Sequence, residues 1–211
     1  MKIERLVTMT VVWLALLVGC VAPRVERGDA VADEGALPGA GALPGGVRVH
    51  VVNSPNDPLQ LTGLATLAES LEGPGRAVRY WPFTDAKGLA RAIEADRAEH
   101  PDRPVAVVAW SGASLTAWDA ADRLAESGQG IDLVIVLDSN WLKRRLRSRA
   151  YPDNIAMTVL IYRANNPVPT VEQIAPQRVH RVGTGNHLAV ATQRQTVEAV
   201  TVELDGLAQG R

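Results

Sequence analysis

The chain has a single cysteine, Cys20, among its 211 residues, so it cannot form an intramolecular disulfide. One thiol and four histidines also exclude a zinc ribbon. Neither sign of charge is in excess, because 22 Lys and Arg residues stand against 23 Asp and Glu residues. The sequence therefore lacks the basic surplus that would favour nucleic acid as a partner. It also lacks a GxGxxG or phosphate-binding loop, and no metal or organic cofactor is expected.

The sequence has one long apolar run, and as a helix this run is too short to span a bilayer. Residues 6–19 follow Lys2 and Arg5 and would rise about 21 Å, against roughly 30 Å of hydrocarbon. This length with a basic flank is typical of a secretory signal peptide. The run ends with LVGC at residues 17–20, which resembles the bacterial lipobox, where cleavage before the cysteine follows its lipidation. An ordinary secretory peptide that happens to carry a cysteine is the alternative.

The lipobox resemblance implies a membrane anchor. Residues 1–19 would be the lipoprotein signal peptide, and the acyl chains on Cys20 would hold the protein on a membrane. Val21, rather than Asp, implies the outer membrane of the bacterial cell envelope, on its periplasmic face. Residues 20–46 contain GALPG twice and no apolar periodicity, which is typical of a flexible Gly/Ala/Pro tether. The folded domain is therefore expected over 47–211.

Apolar runs alternate with helical patterns throughout the predicted domain. The runs PVAVVAW and IDLVIVL are almost continuously apolar, as is typical of parallel strands covered on both faces. A helix is predicted to begin at Pro58 with Asp57 as its cap, and others over 87–99, after Ser111 and near the C-terminus. This order predicts an α/β fold, a doubly wound and mostly parallel sheet. Strands are predicted at 47–52, 77–81, 104–110, 131–137, 155–162 and 178–182.

The central predicted strand runs directly into Ala109-Trp110-Ser111-Gly112-Ala113 and then into a helix. This segment resembles the nucleophile elbow of α/β-hydrolases, small-x-Ser-x-small, in which the tight turn needs small residues two positions before and after the serine. The resemblance implies that Ser111 is a nucleophile and that the backbone N–H of Gly112 stabilises an oxyanion. The alternative is a serine that only caps the helix.

The same resemblance directs the search for a base and an acid. His187 follows the last predicted strand in a loop, where an α/β-hydrolase delivers its catalytic histidine; the alternative is a surface histidine. The commoner acid position follows the strand 155–162, but no carboxylate occurs there. Asp138 ends the preceding strand, a position used by the thioesterase-like branch, and would orient His187. Asp153 is the fallback for the acid, and a turn-capping role is the alternative for Asp138.

Two departures from the family pattern weaken the resemblance. Trp110 replaces the usual His or Tyr before the nucleophile, and the loop 53–57 has no glycine to shape a second oxyanion donor. The backbone N–H of Ser54 is the candidate for that donor, because Pro55 has none. These departures leave room for an inactive member of the superfamily.

Aromatic residues near the carboxyl ends of strands suggest an apolar substrate surface. Trp81, Trp110 and Trp141 are the candidate substrate-binding residues, and the alternative is that they cover the core. The segment 139–153 is too short for a lid. Its basic residues between 143 and 149 would attract an anionic partner or simply form a solvated helical face.

These expectations together describe a membrane-anchored serine hydrolase with a compact, lidless α/β-hydrolase-like domain. It would cleave a small-molecule ester or thioester through an acyl-enzyme, with Ser111, Asp138 and His187 as the catalytic residues. The alternative function is a catalytically inactive lipoprotein of the same fold that binds a ligand in the cleft at the sheet edge.

Overall fold

The computed structural model of the protein describes residues 46–169, 174 and 177–210. The predicted signal peptide, the lipidation site Cys20 and nearly all of the tether lie outside the described residues. Within these ranges no helix combines the length and the apolar character needed to cross a membrane. The strands are β1 (Val47–Val52), β2 (Arg76–Trp81), β3 (Val105–Trp110), β4 (Ile131–Leu137), β5 (Ile155–Arg163) and β6 (Gln177–Val182). The helices are α1 (Leu64–Leu71), α2 (Ala86–Glu99), α3 (Ala113–Glu126), α4 (Asn140–Arg145) and α5 (Arg194–Ala208).

The six strands form one parallel sheet in the order β2-β1-β3-β4-β5-β6. The predicted fold class is confirmed, and each predicted strand agrees with the observed one to within one residue at either end. The strand order reverses between β1 and β3, and open α/β sheets bind their ligands in the crevice beyond such a point. The loops that leave the carboxyl ends of β1 and β3 therefore border the natural binding site of the fold.

The sheet is buried on both faces, which explains the continuous apolar character of its central strands. Helices α2, α3 and α4 cover one face, and their buried residues pack on alternate side chains such as Val107 and Val134. Helices α1 and α5 cover the other face and pack on side chains of opposite parity such as Val108 and Ile135. Every residue of β3 is buried, so a polar side chain on this segment can reach the surface only beyond the end of the strand.

The helix predicted to begin at Pro58 begins at Leu64 instead. The Asp57 carboxylate does not cap a helix at Pro58; it accepts hydrogen bonds from the backbone N–H of Leu61 at 2.8 Å and from the Thr62 hydroxyl at 2.8 Å. These bonds fold the preceding residues into a loop, and Leu61, predicted on the apolar face, is exposed. The prediction was wrong because the carboxylate binds loop amides in place of the amides of a first helical turn.

Candidate active site

Ser111 follows β3 directly and has φ 51°, in the left-handed region that a non-glycine residue seldom adopts. Its backbone N–H donates to the Leu137 carbonyl at 2.9 Å. Its carbonyl accepts from the hydroxyls of Ser114 at 2.8 Å and Ser139 at 2.7 Å. These bonds hold the turn in a conformation that the serine would not choose alone, and such strain clusters at functional sites.

Small residues around Ser111 allow this turn to pack closely. Ala109 and Ala113 are fully buried on either side. A Cβ atom on Gly112 would lie 2.7 Å from the Ser54 Oγ, closer than real Cβ atoms approach. Gly112 therefore lets the elbow approach the loop that follows β1, across the crevice between β1 and β3.

The structure brings three of the predicted residues together. His187 Nε2 lies 3.0 Å from Ser111 Oγ, and His187 Nδ1 lies 2.8 Å from Asp138 Oδ2. The indole of Trp110 stacks on the imidazole with 4.6 Å between ring centroids and 29° between planes. Trp110 is therefore buried beneath His187, where its ring fixes the plane of the imidazole.

Asp138 is fully buried and extends beyond β4 with φ 50°. Its Oδ1 accepts from the side-chain amide of Asn166 at 2.7 Å, and its Oδ2 accepts from Arg163 Nε at 2.6 Å as well as from His187. Burial raises the pKa of Asp138, but the hydrogen bonds from His187, Asn166 and Arg163, with the Arg163 charge, lower it to about 2. The carboxylate is thus ionised and saturated with donors.

Asp153, the fallback acid, lies far from this arrangement in the fold. It is exposed in the turn before β5, at the amino-terminal end of that strand, whereas Ser111 lies beyond the carboxyl end of β3. Because the strands are parallel, Asp153 lies at the amino-terminal ends of the strands and Ser111 at their carboxyl ends, on opposite sides of the sheet along the strand direction.

Arg163 and Asn166 bind the Asp138 carboxylate but were not among the residues predicted from the sequence. Arg163 ends β5 and Asn166 lies in the loop that follows it, a region where the sequence was expected to supply only a carboxylate. The available signal was the sheet itself: residues that end neighbouring parallel strands meet at one edge, so an arginine beside an aspartate there predicts an ion pair.

The predicted oxyanion donors differ in their availability. Among the described residues the Gly112 N–H has no hydrogen-bond acceptor. It lies at the N-terminus of α3, where Gly112 is the cap residue. The Ser54 N–H, predicted as the second donor, already donates to the Asn53 Oδ1 at 2.9 Å. The polar atoms nearest to the position of a Cβ on Gly112 belong instead to the Ser54 hydroxyl and the side-chain amide of Asn56.

The three predicted substrate-binding tryptophans have different surroundings. Trp110 is buried, and Trp81 donates its indole N–H to the His50 Nδ1 at 3.1 Å. Trp141 is 39% exposed, with the Arg144 guanidinium 5.2 Å from its ring centroid. A cavity of about 310 Å³ beside the loop after β1 includes none of them. It is lined by Asn53, Pro55, Phe83, Thr84 and Asp85.

The basic segment is partly neutralised by local contacts. Arg145 forms an ion pair with Asp119, and Arg149 forms one with Asp122 at 2.8 Å. Lys143 donates to the side-chain carbonyl of Asn166 at 2.9 Å. These contacts favour a structural role for much of the segment over a single anion-binding surface. Within the described ranges, no three His, Cys, Asp or Glu side chains come together as a metal site.

Comparison with known proteins identifies the fold. No protein-family model and no curated protein matches the chain. The NocB thioesterase domain, solved in covalent complex with a fluorophosphonate nocardicin G analogue, is 15% identical, with a TM-score of 0.52 over 79% of this chain and 96% of that one. An esterase domain of a Rhodothermus marinus protein is 11% identical, with a TM-score of 0.52 over 77% and 87% of the two chains. SrfTE, the thioesterase domain that cyclises the lipopeptide antibiotic surfactin, is 15% identical, with a TM-score of 0.51 over 77% and 92%. The chain therefore has the α/β-hydrolase-type fold of thioesterase and esterase domains.

Proposed function

We propose that the protein is a serine hydrolase that cleaves a small ester or thioester through an acyl-enzyme. The observation that carries this proposal is the continuous hydrogen-bonded chain from Ser111 Oγ through His187 to the buried Asp138, with steps of 3.0 Å and 2.8 Å. A hydroxyl needs an adjacent base, and the base needs an orienting acid, before a serine becomes nucleophilic. The three side chains satisfy both needs at the carboxyl edge of the sheet.

The reaction follows from the positions of these groups. Ser111 Oγ attacks the carbonyl carbon while His187 Nε2 takes the hydroxyl proton, and Asp138 stabilises the imidazolium through Nδ1–H. The Gly112 N–H donates to the oxyanion. Collapse of the tetrahedral intermediate expels the alcohol or thiol, which takes the proton from His187. Water then attacks the acyl-enzyme by the same route and releases the acid.

The substrate class rests on the site and on the similar structures. Both an esterase domain and thioesterase domains share the fold, and the NocB domain accepts a fluorophosphonate covalently. The cavity of about 310 Å³ beside the loop after β1 has room for a small acyl group, with the exposed Phe83 as an apolar wall. The expected substrates are small or exposed esters and thioesters.

Membrane attachment is a separate part of the proposal. The lipobox-like residues 17–20 support a lipid anchor on Cys20, and the repeated GALPG supports a tether that holds the domain away from the bilayer. The protein would then act in the bacterial envelope, on the periplasmic face of the outer membrane.

Labelling with a fluorophosphonate tests the catalytic proposal. Wild type should be labelled covalently at Ser111, and Ser111→Ala should not be labelled. Ser127→Ala is the matched control and should be labelled like wild type, because Ser127 is exposed at the C-terminal end of α3, the helix that follows Ser111. Folded wild type that resists labelling and hydrolyses no ester would refute the proposal.

One observation favours the alternative function, an inactive lipoprotein that binds a ligand in the cleft. The Ser54 N–H donates to Asn53, so the second backbone donor expected of an active member is already occupied. Binding of an acyl ligand to the chain without labelling of Ser111 would favour this alternative.

A further inference from the structure

The guanidinium of Arg163 binds the same carboxylate oxygen as the proposed base. Arg163 Nε lies 2.6 Å from Asp138 Oδ2, and His187 Nδ1 lies 2.8 Å from that oxygen. The Arg163 backbone N–H also reaches the Asp138 Oδ1 at 3.3 Å. One residue thus contacts both oxygens of the acid, from the neighbouring strand β5.

The other end of this guanidinium reaches the loop that carries the histidine. Arg163 Nη1 donates to the carbonyl of Gly185 at 3.1 Å, two residues before His187. This side chain therefore connects the acid at the end of β4 to the loop after β6. That loop carries the base on residues 183–187, which contain two glycines and so restrict their own conformation weakly.

Other charged and titratable groups face the acid from three elements. Lys143 on α4 interacts electrostatically with Asp138 and with Arg181 on β6, and burial, together with the Asp138 charge, raises the pKa of the Tyr162 phenol on β5. Lys143 contacts Asn166, and Arg181 donates to the carbonyls of Arg163 and Asn166. Among the cations of the described chain, Arg163 alone contacts the Asp138 carboxylate directly.

We propose that Arg163 is a positioning residue that clamps Asp138 to the His187 loop and whose charge sets the lower pH limit of activity. This inference rests on the proposed function. Arg163 lies where the resemblance implies the commoner acid, a position that has no carboxylate in this chain. The clamp keeps the imidazole within hydrogen-bonding distance of Ser111, and the charge opposes uptake of a proton by the His187–Asp138 pair.

The size of the charge effect follows from the geometry. The two short bonds to one oxygen place the guanidinium within about 6 Å of the imidazole. A unit charge at that distance, with an effective dielectric constant of about 20 to 80, moves a titration midpoint by about 0.5–2 pH units. Removing the charge allows the pair to bind its proton more tightly, so the acid limb of the rate profile moves to higher pH.

Three variants separate the clamp from the charge, with the pH dependence of kcat/KM for a p-nitrophenyl ester as the readout. Arg163→Met should lower kcat at least tenfold and move the acid limb up by about 0.5–2 pH units, with KM nearly unchanged because Arg163 is not in the cavity wall. Arg163→Lys should keep the acid limb of wild type but lose kcat, because an ammonium cannot span Asp138 and Gly185 together. Arg178→Met removes the same charge from an ion pair with buried Glu203 and should change neither quantity.

The outcomes decide the inference even where a variant is unstable. Circular dichroism establishes folding, and if Arg163→Met does not fold, Arg163→Lys carries the test. A lysine variant with wild-type kcat, or a folded methionine variant with an unmoved acid limb, would overturn the inference.

A second readout is independent of turnover. In a Ser111→Ala background, NMR should show the hydrogen-bonded Nδ1–H signal of His187, and adding Arg163→Lys should weaken it. If wild type neither labels nor hydrolyses esters, the proposed function fails, and this signal still tests the clamp. An unchanged signal would refute it.

Discussion

Replacing Asp138 with asparagine changes the charge of the site while keeping its shape. Each carboxylate oxygen accepts two donors: Oδ2 accepts from His187 and Arg163, and Oδ1 from Asn166 and the Arg163 backbone. The NH₂ group of the new asparagine must therefore face a pair of donors in either orientation. If it faces His187, the imidazole must adopt the wrong tautomer. If it faces Asn166, the Asn166 amide must flip, and the flip breaks the hydrogen bond from Lys143.

The cost in rate can be worked from the contact distances. The imidazolium and the carboxylate lie about 4 Å apart between charge centres, which at an effective dielectric constant of about 20 is worth about 4 kcal/mol. The Arg163 charge is then unbalanced beside the imidazolium and adds further cost. We expect kcat of Asp138→Asn to fall about 10³- to 10⁵-fold. One unsatisfied donor should also lower the free energy of unfolding by about 1–3 kcal/mol.

The assay is ester hydrolysis by protein shown to be folded by circular dichroism and thermal melting. Asp153→Asn is the control, since that carboxylate is exposed at the opposite edge of the sheet, and its kcat should remain within about twofold of wild type. An Asp138→Asn enzyme that retains kcat within tenfold of wild type would refute the assignment of the acid.

Three further predictions test the environment of the site and the anchor. Because the pKa of Asp138 is depressed from 3.8 to about 2, its contribution to stability is present above pH 3.8 and is lost as pH falls toward 2. Over that range the free energy of unfolding of wild type, measured in urea, should fall by about 2 kcal/mol more than that of Asp138→Asn. Equal losses in the two proteins would contradict this prediction. Gly112→Ala should lower the free energy of unfolding by about 1–3 kcal/mol, because its Cβ would lie 2.7 Å from the Ser54 Oγ. Adding Ser54→Ala should restore part of this loss in thermal melts, and no restoration would place the clash elsewhere. Cys20→Ser should abolish metabolic palmitate incorporation in a bacterial host, and persistent label would exclude lipidation at that residue.

The sheet could be predicted because its signal is local and redundant. Each strand is a short apolar run between turn residues, and β3 and β4 are apolar throughout because helices cover both faces. Ser111 and His187 could be proposed because their positions in the α/β order fix the sheet edge to which they belong. The helix start at Leu64 could not, since Asp57 has the same sequence pattern whether it caps a helix or binds loop amides.

The partners of the site were harder to predict because they come from contacts between distant segments. The Ser54 N–H was free to serve as a donor by sequence alone, and only the conformation of the loop gives it to Asn53. In the sequence, the region of Arg163 stands out only because it has no carboxylate. Its contacts with Asp138 and Gly185 depend on the distance between β4 and β5 and on the path of the loop after β6. Sequence periodicity carries neither distance.

Backbone strain links the two ends of the proposed relay. Ser111 and Asp138, which follow adjacent strands β3 and β4, both have φ near 50°. One hydrogen-bonded unit supports the pair: Ser139, next to Asp138, donates to the Ser111 carbonyl and lies 2.7 Å from the Ser114 hydroxyl. Strain of this kind persists only where surrounding contacts over-determine it. Because the same serines fix both strand ends, the nucleophile and the acid are positioned by the rigid sheet. The base lies on a loop, and its position depends on Trp110 stacking and on the Arg163 bond to Gly185.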